Sequence, residues 1–115
     1  MKNETYDQLL YDEILVDAYG EEEKAMSWFT YADEVMQFPF KAKLALLDES
    51  RRAVKVKVQV LGLKQSTNDL RPLRVEVLHA GLIWTVELAE LRKVEADAGT
   101  AEVVGVYGYW VGASY

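Results

Sequence analysis

The chain has 115 residues, half of them apolar and 28% charged, which suits one hydrophobic core and excludes a disordered polymer. It has no cysteine, so disulfides, thiolate metal sites and cysteine nucleophiles are excluded, and a single histidine, His79, rules out histidine-rich zinc or iron centres. The net charge is −6, and the acidic part of the chain that dominates it would repel nucleic acid.

Residues 1–7 lack the basic-then-apolar pattern of a signal peptide, and no apolar run approaches the roughly 20 residues of a bilayer span. The expectation is a cytoplasmic protein that engages neither membrane nor nucleic acid. From Tyr6 to about Val16, Leu9, Leu10, Ile14 and Leu15 recur at helical spacing. Asp17-Ala18-Tyr19-Gly20 interrupts, and a second helix starts at Glu21, where Glu21, Glu22 and Glu23 meet the positive end of the helix dipole. Its expected buried stripe is Ala25, Phe29, Ala32 and Met36, flanked by Met26 and Trp28, and Pro39 stops it.

Beyond Phe40 the period changes. Lys43 to Leu47 reads as a short strand, and Val54, Val56, Val58 and Val60 alternate with polar residues as in a half-buried strand. A polar loop is expected over Lys64 to Arg71. Leu73 to Leu78 and Leu82 to Leu88 form two more strands joined by a hairpin loop at His79-Ala80-Gly81, and Leu88 to Leu91 reads as one helical turn. For the C-terminal segment, Thr100 is the expected cap of a helix through Val103, Val104, Tyr107 and Trp110, with a strand as the alternative reading. Gly105, Gly108 and Gly112 then share a face, suited to packing on the sheet or to a dimer contact. The fold class is therefore α+β in a single domain over 1–115. It comprises an N-terminal helix pair, a small curved antiparallel sheet or SH3-like barrel, and a C-terminal helix.

Charge is partitioned along the chain. Residues 1–40 hold ten acids against Lys2 and Lys24, and residues 41–93 hold eleven bases and six acids. The acids read either as the wet faces of helices or as a surface that attracts cations or basic partners. Catalytic patterns are missing: His79 is expected in a hairpin loop, the serines lack a nucleophile elbow, and no glycine-rich phosphate loop occurs. Not an enzyme is the expectation. Oxygen-rich cation binding remains, without an EF-hand loop, so any site must be assembled in space from the Asp17–Glu23 junction and Asp33-Glu34.

The stretch from Asp12 to Phe40 resembles the CcbP-type family of small bacterial calcium-binding proteins. The resemblance is carried by Ile14 to Tyr19, the Glu-rich helix opening, Ala25-Met26 followed by Trp28, and Gln37-Phe38-Pro39-Phe40. It continues through Val60 to Leu63, Val86 to Leu91 and Tyr109-Trp110-Val111. The resemblance implies calcium binding by a non-EF-hand protein through an acidic surface patch, as a buffer or sensor. Asp17, Glu21, Glu22, Asp33 and Glu34 are the implied ligands. The chain departs from the family pattern at Lys55, Lys57, Lys64, Arg71 and Ala98-Gly99, where acids are usual, and at Gly20, where a hydroxyl residue is usual. The competing reading is a protein-interaction module that uses the aromatic, glycine-rich C-terminal segment for a homodimer or another protein. On the calcium reading, neutralising Asp17 or Asp33 weakens binding far more than neutralising Glu4 or Glu102.

Overall fold

The change of period at Pro39 is where helix gives way to sheet. A computed structural model describes residues 3–16, 18–47, 49–67 and 71–113. Helix α1 (Glu4–Leu9) is capped by the Asn3 side chain, which accepts from the Tyr6 amide at 2.9 Å. The helix does not run on evenly to Val16. It widens into a π-helical turn over Leu10–Ile14, closed by the Leu15 amide donating to the Leu10 carbonyl. That wider turn brings residues four and five apart onto one face, so Leu10, Ile14 and Leu15 are all buried.

Helix α2 (Glu21–Val35) starts where expected, and Glu23 Oε2 reaches back to the Tyr19 amide at 3.3 Å. It ends well before Pro39. The Gln37 amide leaves the helical ladder to donate to Thr100 Oγ1 at 2.9 Å. Its inner stripe is Ala25, Trp28 and Ala32, followed by Met36. Phe29 is only half-buried, so Trp28 takes the core place expected of it, while Met26 lies on the wet side, 58% exposed.

Five strands follow: β1 (Phe40–Leu47), β2 (Ala53–Gln65), β3 (Leu73–His79), β4 (Leu82–Glu87) and β5 (Arg92–Glu95). They form one antiparallel sheet in the order β4-β3-β2-β1-β5. The sheet is open, with β4 and β5 at its edges, so an open sheet forms in place of the SH3-like barrel. Strand β2 runs further than its valine alternation and takes in the start of the expected polar loop; residues 68–70 of that loop lie outside the described residues. The extension works through a bulge: Val60 pairs with Val77 but Gly62 with Glu76, so Leu61 is the extra residue. Inward parity then switches from even to odd, which is why Val60-Leu61-Gly62-Leu63 is a run without alternation. The β3–β4 turn is shorter than expected, because His79 already pairs with Leu82. Ala80 and Gly81 close it, both at positive φ (52° and 78°), as a two-residue primed turn requires. The expected helical turn is a 3₁₀ turn over Leu88–Glu90.

The C-terminal segment is helix α3 (Ala98–Ala113). Its cap is Asp97, not Thr100: Asp97 Oδ2 accepts from the Thr100 amide at 3.1 Å. Thr100 is buried and serves as a joint, donating its hydroxyl to Asp97 Oδ1 at 2.5 Å while accepting from Gln37. The Thr100 hydroxyl and amide hold the Asp97 carboxyl below its ordinary range.

Helices α2 and α3 and the π turn pack on one face of the sheet, and α1 lies against α3 through Tyr6. The inward residues Ala42, Leu44, Val58, Val60, Val75 and Val77 meet Leu10, Ile14, Trp28, Val103, Val106 and Tyr107. At the centre, Trp28 stacks edge-on against Tyr107 at 5.0 Å and lies 5.5 Å from Trp110. The tail expected to offer an interaction surface is thus largely core.

The glycines of α3 are not equivalent. A Cβ on Gly105 would lie 2.5 Å from the Tyr6 hydroxyl, whereas one on Gly108 would meet nothing within 4 Å. Gly105 admits the side chain of α1, and Gly108 carries only the helix-propensity penalty. Gly108→Ala should therefore raise stability by about 0.5–1 kcal/mol. Gly105→Ala should forfeit that gain and melt below Gly108→Ala, as thermal unfolding of the two variants would show.

Candidate cation site

Charge separates by layer. Helices α1, α2 and α3 with the π turn carry ten acids and one base, Lys24, whereas the five strands carry eight bases and three acids. The molecule presents an acidic helical layer on one side of the core and a basic sheet on the other.

The sequence-expected ligands do not form one cluster. Asp17 lies outside the described residues. Glu21 and Glu22 are exposed in the first turn of α2, and Asp33 and Glu34 are exposed in its last. At 1.5 Å per residue the two groups stand about 18 Å apart along the axis, far beyond the 2.3–2.6 Å of a calcium–oxygen bond. They belong to two loci.

The two ends differ electrostatically. Glu21, Glu22 and Glu23 compensate the positive N-terminal pole of α2, a structural role that needs no ligand. Asp33 and Glu34 sit at the negative C-terminal pole with no basic residue in that turn, and among the described residues neither forms an ion pair. The helix dipole opposes them, and a cation there would relieve the conflict.

Glu34 is also the end that meets other oxygens. A shallow groove of about 310 Å³ between the π turn and α2 is lined by Glu13, Ser27, Thr30, Tyr31 and Glu34 among others. A second groove, of about 220 Å³, shares Glu13 and adds Asp12 and Glu102. Burial pushes the Tyr31 phenol above its ordinary value, and the carboxylates of Glu102 and Glu13 push it further. Glu13 and Glu102 were not singled out from the sequence, since they come from α1's continuation and from α3 and meet only through docking. Glu102, expected to be a remote acid, is part of this neighbourhood.

The donor set is carboxylate and hydroxyl oxygen, which fits a hard cation such as calcium rather than zinc or copper. Among the described residues no three acidic or histidine side chains are gathered closely enough to hold a metal ion. His79, on β3 beside the edge strand, takes no part.

A family model for CcbP-type calcium binding matches residues 8–111. No curated protein matches the chain. Among solved structures, CcbP from Anabaena is similar at 30% identity, with a TM-score of 0.85 over all of this chain and 95% of that one. A calcium-binding protein solved in its calcium-binding form is similar at 29% identity, with a TM-score of 0.81 over 99% of this chain and 94% of that one.

Proposed function

This chain belongs to the CcbP-type calcium-binding family, and on that premise we propose that it takes up calcium on its acidic helical layer, through loci at the two ends of α2. Glu34 and Glu13, which line one groove with the hydroxyls of Ser27, Thr30 and Tyr31, form the principal locus; water completes the coordination, and Asp33 adds charge beside it. Asp17, Glu21 and Glu22 form the lesser one, where part of the negative charge is already spent on the helix dipole. Its role is binding without catalysis, as a cytoplasmic buffer or sensor that lacks an EF-hand. The observation that carries this reading is the uncompensated carboxylate pair at the negative pole of α2, of which Glu34 shares a groove with hydroxyls and Glu13. Bound there, calcium supplies charge neutralisation; the residues supply oxygen ligands and a field that concentrates cations.

Calorimetric titration of metal-free protein should show calcium binding more tightly than magnesium, which demands octahedral geometry and sheds its water reluctantly. Glu34→Gln and Asp33→Asn should each weaken calcium binding roughly tenfold, Glu21→Gln less, and the exposed Glu49→Gln by no more than about twofold, since remote charges are screened beyond about 8 Å. Calcium should also lower the pKa of Tyr31 by offsetting Glu13 and Glu102, read as the difference in phenolate absorbance between the parent and Tyr31→Phe. Equal small losses in all variants would mean diffuse counterion attraction and would remove the named loci.

A further inference from the structure

We propose that the outer face of β1, β2 and β5 holds a second site, for a small phosphate-borne anion of two or more charges, of the diphosphate class. It lies on the sheet side, away from the acidic helical layer, and does not depend on the calcium reading. A cleft of about 430 Å³ opens there, lined by Lys43, Lys55, Arg92 and Lys93, with Glu90 as the one acid. That volume falls in the range of small-molecule sites.

The register concentrates like charge. Lys43 lies directly opposite Lys57 on β2 and opposite Arg92 on β5. Directly opposed side chains stand about 4.5–5.5 Å apart at Cβ, a placement that disfavours like charges. Lys57 is relieved by Glu95 at 3.4 Å. Lys43, Lys55 and Lys93 have no ion pair among the described residues. Lysines on an edge strand also block unwanted strand pairing, which would account for Lys93 on β5. It does not account for Lys43 and Lys55, because β1 and β2 are interior strands.

Two further features hold the cleft in shape. Arg92 Nη1 donates to the Ala89 carbonyl at 2.7 Å and the Leu91 carbonyl at 2.9 Å, pinning the guanidinium against the 3₁₀ turn. Its other N–H groups are thereby pre-positioned rather than free to wander, the condition under which arginine recognises phosphate well. Lys93 stands at φ 46°, a left-handed conformation unusual for a lysine, where the β1–β5 register slips between Lys41 and Lys43. Strained backbone held beside a charged cleft is a mark of a site rather than of a passive edge. Diphosphate matches several cations gathered in one small concavity better than a monovalent anion does.

The test is calorimetric titration of the full chain with sodium diphosphate in calcium-free buffer at moderate salt. A parallel arm uses sedimentation with phosphatidylcholine vesicles that carry phosphatidic acid. Saturable binding weakened about tenfold or more by Lys43→Gln and by Lys93→Gln, but unchanged by Lys64→Gln at the far end of β2, supports the site. Binding in solution alone assigns a free phosphate compound, and binding to vesicles assigns a lipid headgroup with the same chemistry. Should either variant fail to fold, amide shifts of the parent on adding diphosphate decide, since they must centre on β1 and β5. No binding in either arm, equal losses in Lys64→Gln, or shifts centred elsewhere would overturn the proposal.

Discussion

Trp28→Ala should cost about 3–5 kcal/mol and lower the melting temperature by roughly 10–20 °C. Trp28 is fully buried on the inner face of α2, against Tyr107 and Trp110. Truncation removes the largest apolar surface in the core and leaves a cavity that β-sheet and helix cannot both close, so the transfer and cavity terms add. Against a total stability of about 5–15 kcal/mol for a domain of this size, that is a large fraction. Trp28→Phe separates volume from polarity. It keeps an aromatic ring and removes an indole N–H that is buried with no hydrogen-bond partner among the described residues. An unpaired buried donor costs about 1–3 kcal/mol, so its removal offsets part of the lost packing, and Trp28→Phe should lose less than half as much as Trp28→Ala. Differential scanning calorimetry of the three proteins checks this. A melting point for Trp28→Ala within about 3 °C of the parent would mean that Trp28 does not anchor the core.

A second large effect is expected in alkaline solution. Tyr107 is buried, and burial pushes its phenol up to about 12, the nearby Glu87 adding to the shift while the Leu73 amide and Arg71 oppose it. The Leu73 amide donates to the Tyr107 hydroxyl at 3.1 Å, joining α3 to β3. In the unfolded chain the same phenol titrates near 10. Below about pH 10 both states hold the proton, and the contribution to stability is fully present. Between about 10 and 12 the unfolded chain releases the proton and the folded one keeps it, so stability falls as pH rises, by about 3 kcal/mol across the window. Tyr107→Phe has no proton to lose and should show a shallower decline over that range. At neutral pH it should be less stable by about 1–3 kcal/mol, because the Leu73 amide loses its buried acceptor. Urea unfolding of both proteins from pH 7 to 12 reads both effects. Parallel pH profiles would show that Tyr107 is not the titrating group.

The sequence by itself determined the α+β order, the place where helix yields to strand, and an oxygen-only chemistry for any bound cation. These rest on local quantities: period along the chain, the dipole preference of Glu21–Glu23, the alternation of Val54 to Val60, and the absence of cysteine. Strand β5 leaves no signal in the sequence, because Arg92-Lys93-Val94-Glu95 has no apolar alternation and owes its conformation to pairing with β1. The exchange of Phe29 for Trp28 in the core was equally hidden. Phe29 lies on the expected stripe and Trp28 at its flank, and only the angle at which α2 docks on the sheet selects between them. The composition of the candidate site depended on docking still more. Along α2 the expected ligands fall into two groups at opposite ends, while Glu13, Glu34 and Glu102 come from three separate elements. Tertiary packing alone decided which carboxylates share a groove, because proximity between helices is set by the buried faces that join them and leaves no period in the chain.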